Sequence, residues 1–112
     1  MDEAAVRKVL LDLPEVTEHP GWAGQPVFKV RGKSFVYFSA EGDRASIKAF
    51  REEQEALVAE NPEVYEPSWA SGRFAWLSAD FAAAEDQELR ELLTEAWRLT
   101  APKTLVKRLD AT

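Results

Sequence analysis

Three stretches of the chain carry helical periodicity and four read as strands. Val6, Val9, Leu10 and Leu13 recur at i, i+3, i+4 and i+7, which predicts a helix over residues 2–13 with one apolar stripe. Pro14 ends it, because proline disfavours helix in the residue before it. Residues 19–26 hold two prolines and two glycines and read as a loop. Residues 26–31 and 34–39 are rich in Val, Phe and Tyr and read as strands. Between them Gly32-Lys33 suits a two-residue hairpin loop of type II′. After a break at Gly42-Asp43, residues 44–49 make a third strand. In the middle strand Phe35 and Tyr37 alternate with Val36 and Phe38, so both faces are apolar, as in a central strand covered on at least one side.

Residues 50–61 predict an acidic second helix with Phe50, Leu57 and Val58 on one face, ended by Pro62. Residues 63–72, with Tyr65 and Trp69, read as irregular. Residues 73–78 set Phe74 and Trp76 against Ala75 and Leu77, a further strand. Asp86 suits an N-cap. Leu89, Leu92, Leu93, Ala96, Trp97 and Thr100 then keep helical spacing over three turns, the strongest periodicity in the chain. Pro102 breaks that helix, and residues 103–109 read as a short basic turn. Helix, three strands, helix, strand and helix, with short connections between the strands, predict an α+β fold: an antiparallel β-meander sheet with helices packed on one face and the other face partly open.

Composition narrows the functional classes. At 112 residues the chain is expected to form a single domain over 1–112, long enough for one real core. With no cysteine, disulfide scaffolds, thiolate metal sites and cysteine nucleophiles are excluded. No apolar run approaches the roughly 20 residues of a membrane span, and Met1-Asp2-Glu3 opens no signal sequence, so the expectation is a cytoplasmic protein without a membrane partner. The net charge of −6 counts against nonspecific nucleic-acid binding, yet it is unevenly spread. Lys29, Arg31, Lys33, Arg44 and Lys48 outnumber Glu41 and Asp43 in the strand region, whereas the predicted second and third helices are acidic.

No catalytic constellation is visible, and no cofactor or metal is expected. His19 is the sole imidazole, and a metal site needs three or four ligands. Glu52, Glu53 and Glu55 suit a solvated helix surface; Glu85, Asp86 and Glu88 suit a helix N-terminus. No serine sits in a Gly-x-Ser-x-Gly elbow, and no phosphate loop occurs. The suggestive pattern is bases interleaved with apolar residues: Lys29 and Arg31 on one side of a strand, Phe28 and Val30 on the other. Lys33, Lys48 and Arg73 could join them. That pattern fits an ordinary wet sheet face. It also fits a face holding single-stranded nucleic acid or another anion by charge and stacking. A third arrangement is a small-molecule or peptide pocket lined by Trp22, Tyr65, Trp69 and Trp76. Monomer and sheet-paired homodimer both remain open.

Several segments in order are similar to the MmcQ/YjbR family. They are Leu13-Pro14-Glu15-Val16-Thr17-Glu18; Trp22 with Pro26-Val27-Phe28-Lys29-Val30 and Gly32-Lys33-Ser34-Phe35; Ile47-Lys48; Gly72-Arg73-Phe74-Ala75-Trp76; and Glu88-Leu89-Arg90-Glu91-Leu92-Leu93 through Ala96-Trp97-Arg98-Leu99 to Ala101-Pro102-Lys103. The resemblance implies a compact frataxin-like or double-wing α+β fold and a DNA-binding role. It carries over no catalytic residue. Where many relatives hold an Asn-Lys or similar polar pair before the strand Trp, this chain has Ala70-Ser71-Gly72-Arg73, which leaves Arg73 as the basic residue there.

Overall fold

The computed structural model describes residues 1–111. Helix α1 (Glu3–Leu11) starts where the Asp2 carboxylate accepts from the Ala5 N–H at 2.8 Å, and it buries Val6 and Leu10. It stops before residues 12–13, short of the expected end. Strand β1 (Val16–Pro20) follows, in a stretch whose second half had read as loop. Its signal is weak because it is an exposed edge: only Val16 is half-buried, and Pro20 lacks the N–H a central strand would need.

Strands β2 (Pro26–Val30) and β3 (Lys33–Phe38) form the expected hairpin with its loop one residue earlier, at Arg31-Gly32. Both loop residues have positive φ, 52° and 80°, as a type I′ turn requires rather than the type II′ expected. A left-handed arginine costs roughly 1–2 kcal/mol. Offsetting that cost, its guanidinium fork grips both oxygens of Glu15 at 2.6 and 2.9 Å. A register shift next to Phe28 bulges β3, so the neighbours Phe35 and Val36 are both buried, while Tyr37 points to the opposite face.

Strand β4 (Arg44–Phe50) leads into α2 (Arg51–Glu60), then β5 (Tyr65–Ser71) and β6 (Phe74–Asp80). The stretch containing β5 had read as irregular. It is another outer strand, with Pro67 inside it and a register shift between Pro67 and Trp69. Strand β6 inserts between β4 and β5, giving one six-stranded antiparallel sheet in the order β1-β2-β3-β4-β6-β5. Phe50 is the last residue of β4 and not part of the helix's apolar face. The buried Gln54 anchors α2 by donating to the Trp76 carbonyl at 2.8 Å, beside the register shift.

Helix α3 (Asp86–Thr100) is capped by Glu85 rather than Asp86: the Glu85 carboxylate accepts from the N–H groups of Gln87 and Glu88. The basic tail is not a turn but an eight-residue helix, α4 (Lys103–Asp110), which buries Leu105 and is tied to α3 by an Arg98–Asp110 pair at 2.6 Å. Helix α3 lies across β3 and β4, flanked by α1 and α2. Their apolar stripes meet Phe28, Val30, Val36, Phe38, Ile47 and Leu77, all fully buried. At the centre Trp97 is fully buried, and its indole N–H donates to the Pro14 carbonyl at 3.0 Å, fastening α3 to the turn between α1 and β1. On the outer side of the helices, α2 and α3 enclose a groove of about 650 Å³ that includes Glu53, Leu57, Leu92 and Glu95.

Two stability predictions follow from this packing. Replacing Trp97 by Phe keeps an aromatic ring but leaves the Pro14 carbonyl unpaired and the site underfilled, so urea unfolding of W97F should show a loss of about 1–3 kcal/mol. At Glu53, burial first and the Glu95 charge second raise the carboxyl pKa above the ordinary value. A raised carboxyl stabilises the fold below its unfolded pKa and loses that contribution as pH rises through the folded one. E53Q should therefore raise Tm at neutral pH by about 1–3 °C, a small effect because water screens the groove. Below about pH 4, where Glu53 is protonated in both states, the gain should vanish in a thermal melt.

Candidate nucleic-acid interface

With helices on one side only, the sheet's other side is open, and strict alternation decides what it displays. In β4 and β6 the residues Ala45, Ile47 and Ala49 pair with Ala79, Leu77 and Ala75 on the helix side. The intervening pairs Arg44↔Asp80, Ser46↔Ser78, Lys48↔Trp76 and Phe50↔Phe74 face outward. These pairs define rows across the sheet. The Ser46↔Ser78 row continues into Tyr37 and Val27 on one side and Glu66 on the other. The Lys48↔Trp76 row reaches Trp69 on β5.

The rings on this face touch one another. Trp69 stacks on Trp76 with centroids 5.9 Å apart and planes 19° apart; Tyr37 meets Trp76 at 5.4 Å. One row on, Phe50 stacks on Phe74 at 5.6 Å. Trp69 stays 51% exposed and Phe50 40%. Cations border the rings: the Lys48 ammonium lies 4.7 Å from the Phe74 centroid and the Arg73 guanidinium 5.1 Å. Burial against the sheet, and secondarily the charge of Lys33, lowers the Lys48 pKa. Lys29, Lys33, Lys48 and Arg73 take part in no salt bridge among the described residues. Arg7, Lys8, Arg31, Arg44, Arg98 and Arg108 are all paired with carboxylates. The face is thus split. Its Phe50 end is aromatic with unpaired cations. At its Arg44 end Asp80 and Glu66 lie 3.7 and 4.0 Å from the guanidinium.

Against the expected residues, Lys48 and Arg73 border the Phe74 ring and Lys29 faces outward on β2, while Lys33, paired with the buried Val30, starts from the helix side of β3 yet its charge reaches Lys48. Arg31 does not share the strand face with Lys29. It sits in the turn beyond β2, and its positive φ swings the side chain to Glu15. The expected aromatic pocket does not form as one site. Trp69 and Trp76 stack on the open face, whereas Tyr65 pairs with Ala79 on the helix side, buried, its hydroxyl donating to Glu88. Trp22 projects 90% exposed from a 3-10 turn at the opposite end of the sheet. Tyr37, Phe50 and Phe74 belong to the site but were not among the expected residues. For two of them the signal was parity, Phe50 lying two positions from Lys48 and Phe74 two from Trp76, whereas the bulge in β3 breaks the parity before Tyr37. His19 is exposed on β1, and its Nε2 lies 2.7 Å from the Thr17 hydroxyl. Among the described residues no three His, Asp or Glu side chains are grouped to hold a metal ion, and no helix is long and apolar enough to cross a membrane.

Known structures and families agree with this architecture. The protein DR2400 of Deinococcus radiodurans, whose crystal structure carries a DUF419 domain, superposes with a TM-score of 0.73 at 25% sequence identity, over 86% of this chain and 75% of its own. No curated protein matches the chain. The YjbR family model matches residues 11–99, from the end of α1 through nearly all of α3, and the chain therefore belongs to the YjbR family.

Proposed function

We propose that the chain is a single-stranded nucleic-acid-binding module, with DNA as the first ligand to test, and that the Phe50 end of the open sheet face is its contact surface. The observation that supports this reading is the coincidence of unpaired cations with partly exposed, mutually stacked rings on a face no helix covers. Stacking platforms bordered by Lys and Arg hold single strands because every base has a π-face and every linkage a phosphate. The rings would have no base faces to stack on inside an intact duplex. The acidic helices lie behind the sheet, so the overall charge of −6 is compatible with a local basic face.

Fluorescence anisotropy with a labelled single-stranded DNA tests it. Three or four phosphate contacts give a slope near −0.7 per contact, so affinity should fall roughly 20–50-fold between about 50 and 200 mM salt. The same sequence as a duplex should bind more weakly. W69A should weaken binding about fivefold or more by removing an exposed ring, and K33E/K48E should nearly abolish it at the higher salt. R31Q, which touches only the Glu15 pair, should leave affinity unchanged. Binding indifferent to K33E/K48E would rule out this face.

A further inference from the structure

Two residues along each strand from the lysine and tryptophan row, about 7 Å away, the open face changes character. The row there is made of hydroxyls: Tyr37, Ser46 and Ser78 lie abreast on β3, β4 and β6, and Ser68, at the β5 register shift, closes on them. Together with Gln25 and Glu41 they line a concavity of about 390 Å³. Resting on the single-strand reading above, we infer that this concavity is a ribose-reading subsite and that the face prefers RNA to DNA.

The hydroxyls there are under-used. Tyr37 Oη and Ser46 Oγ each lie 3.4 Å from Ser68 Oγ, long contacts that a ligand hydroxyl could replace with shorter ones. Ser78 is held differently. The Arg44 Nε–H donates to its oxygen at 2.9 Å, which leaves the Ser78 hydroxyl proton free to donate elsewhere. Arg44 itself is spent on the carbonyls of Val64 and Ser78, and its charge is offset by Asp80 and Glu66. With the Arg44 charge offset and Glu41 on its lining, the concavity therefore offers hydroxyl donors and acceptors but little attraction for a phosphate. A ribose 2′-hydroxyl, both donor and acceptor, is the group that distinguishes RNA from DNA and matches such a lining. The aromatic strip runs into it, because Tyr37 both lines the concavity and meets Trp76. A base on that strip would set its sugar over the hydroxyl row and its phosphate toward Lys48.

Oligo(U) and oligo(dU) of equal length keep the base constant and differ in the 2′-hydroxyl. In anisotropy titrations at one salt concentration, oligo(U) should bind about five- to tenfold tighter, the effect of one or two hydrogen bonds. S46A, which keeps the packing, should reduce that preference while leaving oligo(dU) affinity unchanged, and Y37F, which keeps the ring, should reduce the preference as well. Equal affinity for the two strands would overturn the ribose inference and leave the stacking face standing. A preference that survives both substitutions would overturn the assignment to these hydroxyls. Binding of neither strand would overturn the single-strand reading and this inference with it.

Discussion

The structure depends on a sheet that is covered once. A strand shows alternate residues to opposite sides, so fixing the register of one strand fixes both faces of all its neighbours. The β4–β6 pairing is the longest unbroken ladder, seven residue pairs without a shift. On the helix side it sets small Ala residues around Ile47 and Leu77, and α3 packs close across this part of the sheet. The same register leaves Lys48, Phe50, Phe74 and Trp76 no place except the open side. Aromatic rings on a face without a covering layer lose part of the burial they would have in a core. They recover some of it from each other, in the Trp69–Trp76 and Phe50–Phe74 stacks.

The helix side is fastened at a few points of high specificity. Trp97 fills the centre of the core and uses its one polar atom to hold the Pro14 carbonyl. Immediately after that proline, Glu15 adopts a left-handed φ of 58° and receives Arg31 and Arg108. Its carboxyl is held below the ordinary pKa by the Arg31 hydrogen bond first. Three distant parts of the sequence therefore converge on the short link between α1 and β1: the hairpin turn, the body of α3 and the C-terminal helix. The arrangement explains why Arg31 is paired with a carboxylate while Lys29 and Lys33 take part in no salt bridge among the described residues.

How much of this was legible in the sequence follows from burial. The helix carrying Leu89 to Thr100 and the strands around Phe28, Val36 and Ile47 are coded by apolar periodicity because they are covered by protein. Both outer strands escaped a clear reading for the opposite reason. Val16–Pro20 and Tyr65–Ser71 each contain a proline and mostly exposed residues, so their pattern is that of a loop even though their backbones are paired. Among the site residues, the basic set of Lys29, Lys33, Lys48 and Arg73 was visible as charge. The separation of Tyr65 from Trp69 was not, because the register shift between Pro67 and Trp69 changes which residues share a face, and no residue type announces a bulge. Arg31 was misplaced by one position of turn register, enough to move a side chain from the sheet face to the flank.

Total charge is a poor guide to a one-sided sheet. Acidic residues on α2 and α3 lie on the far side of the core from the open face, and most cations elsewhere are neutralised by a carboxylate neighbour. What an incoming ligand meets at the Phe50 end is set by the charges within roughly one screening length, about 8–10 Å in physiological salt. There burial against the sheet first, and the charge of Lys33 second, leave Lys48 holding its proton less tightly than an ordinary lysine. Two cations that repel in the free protein are relieved by an anion placed between them. A phosphate held beside Lys48 would favour its charged form and should in turn raise that pKa toward its ordinary value.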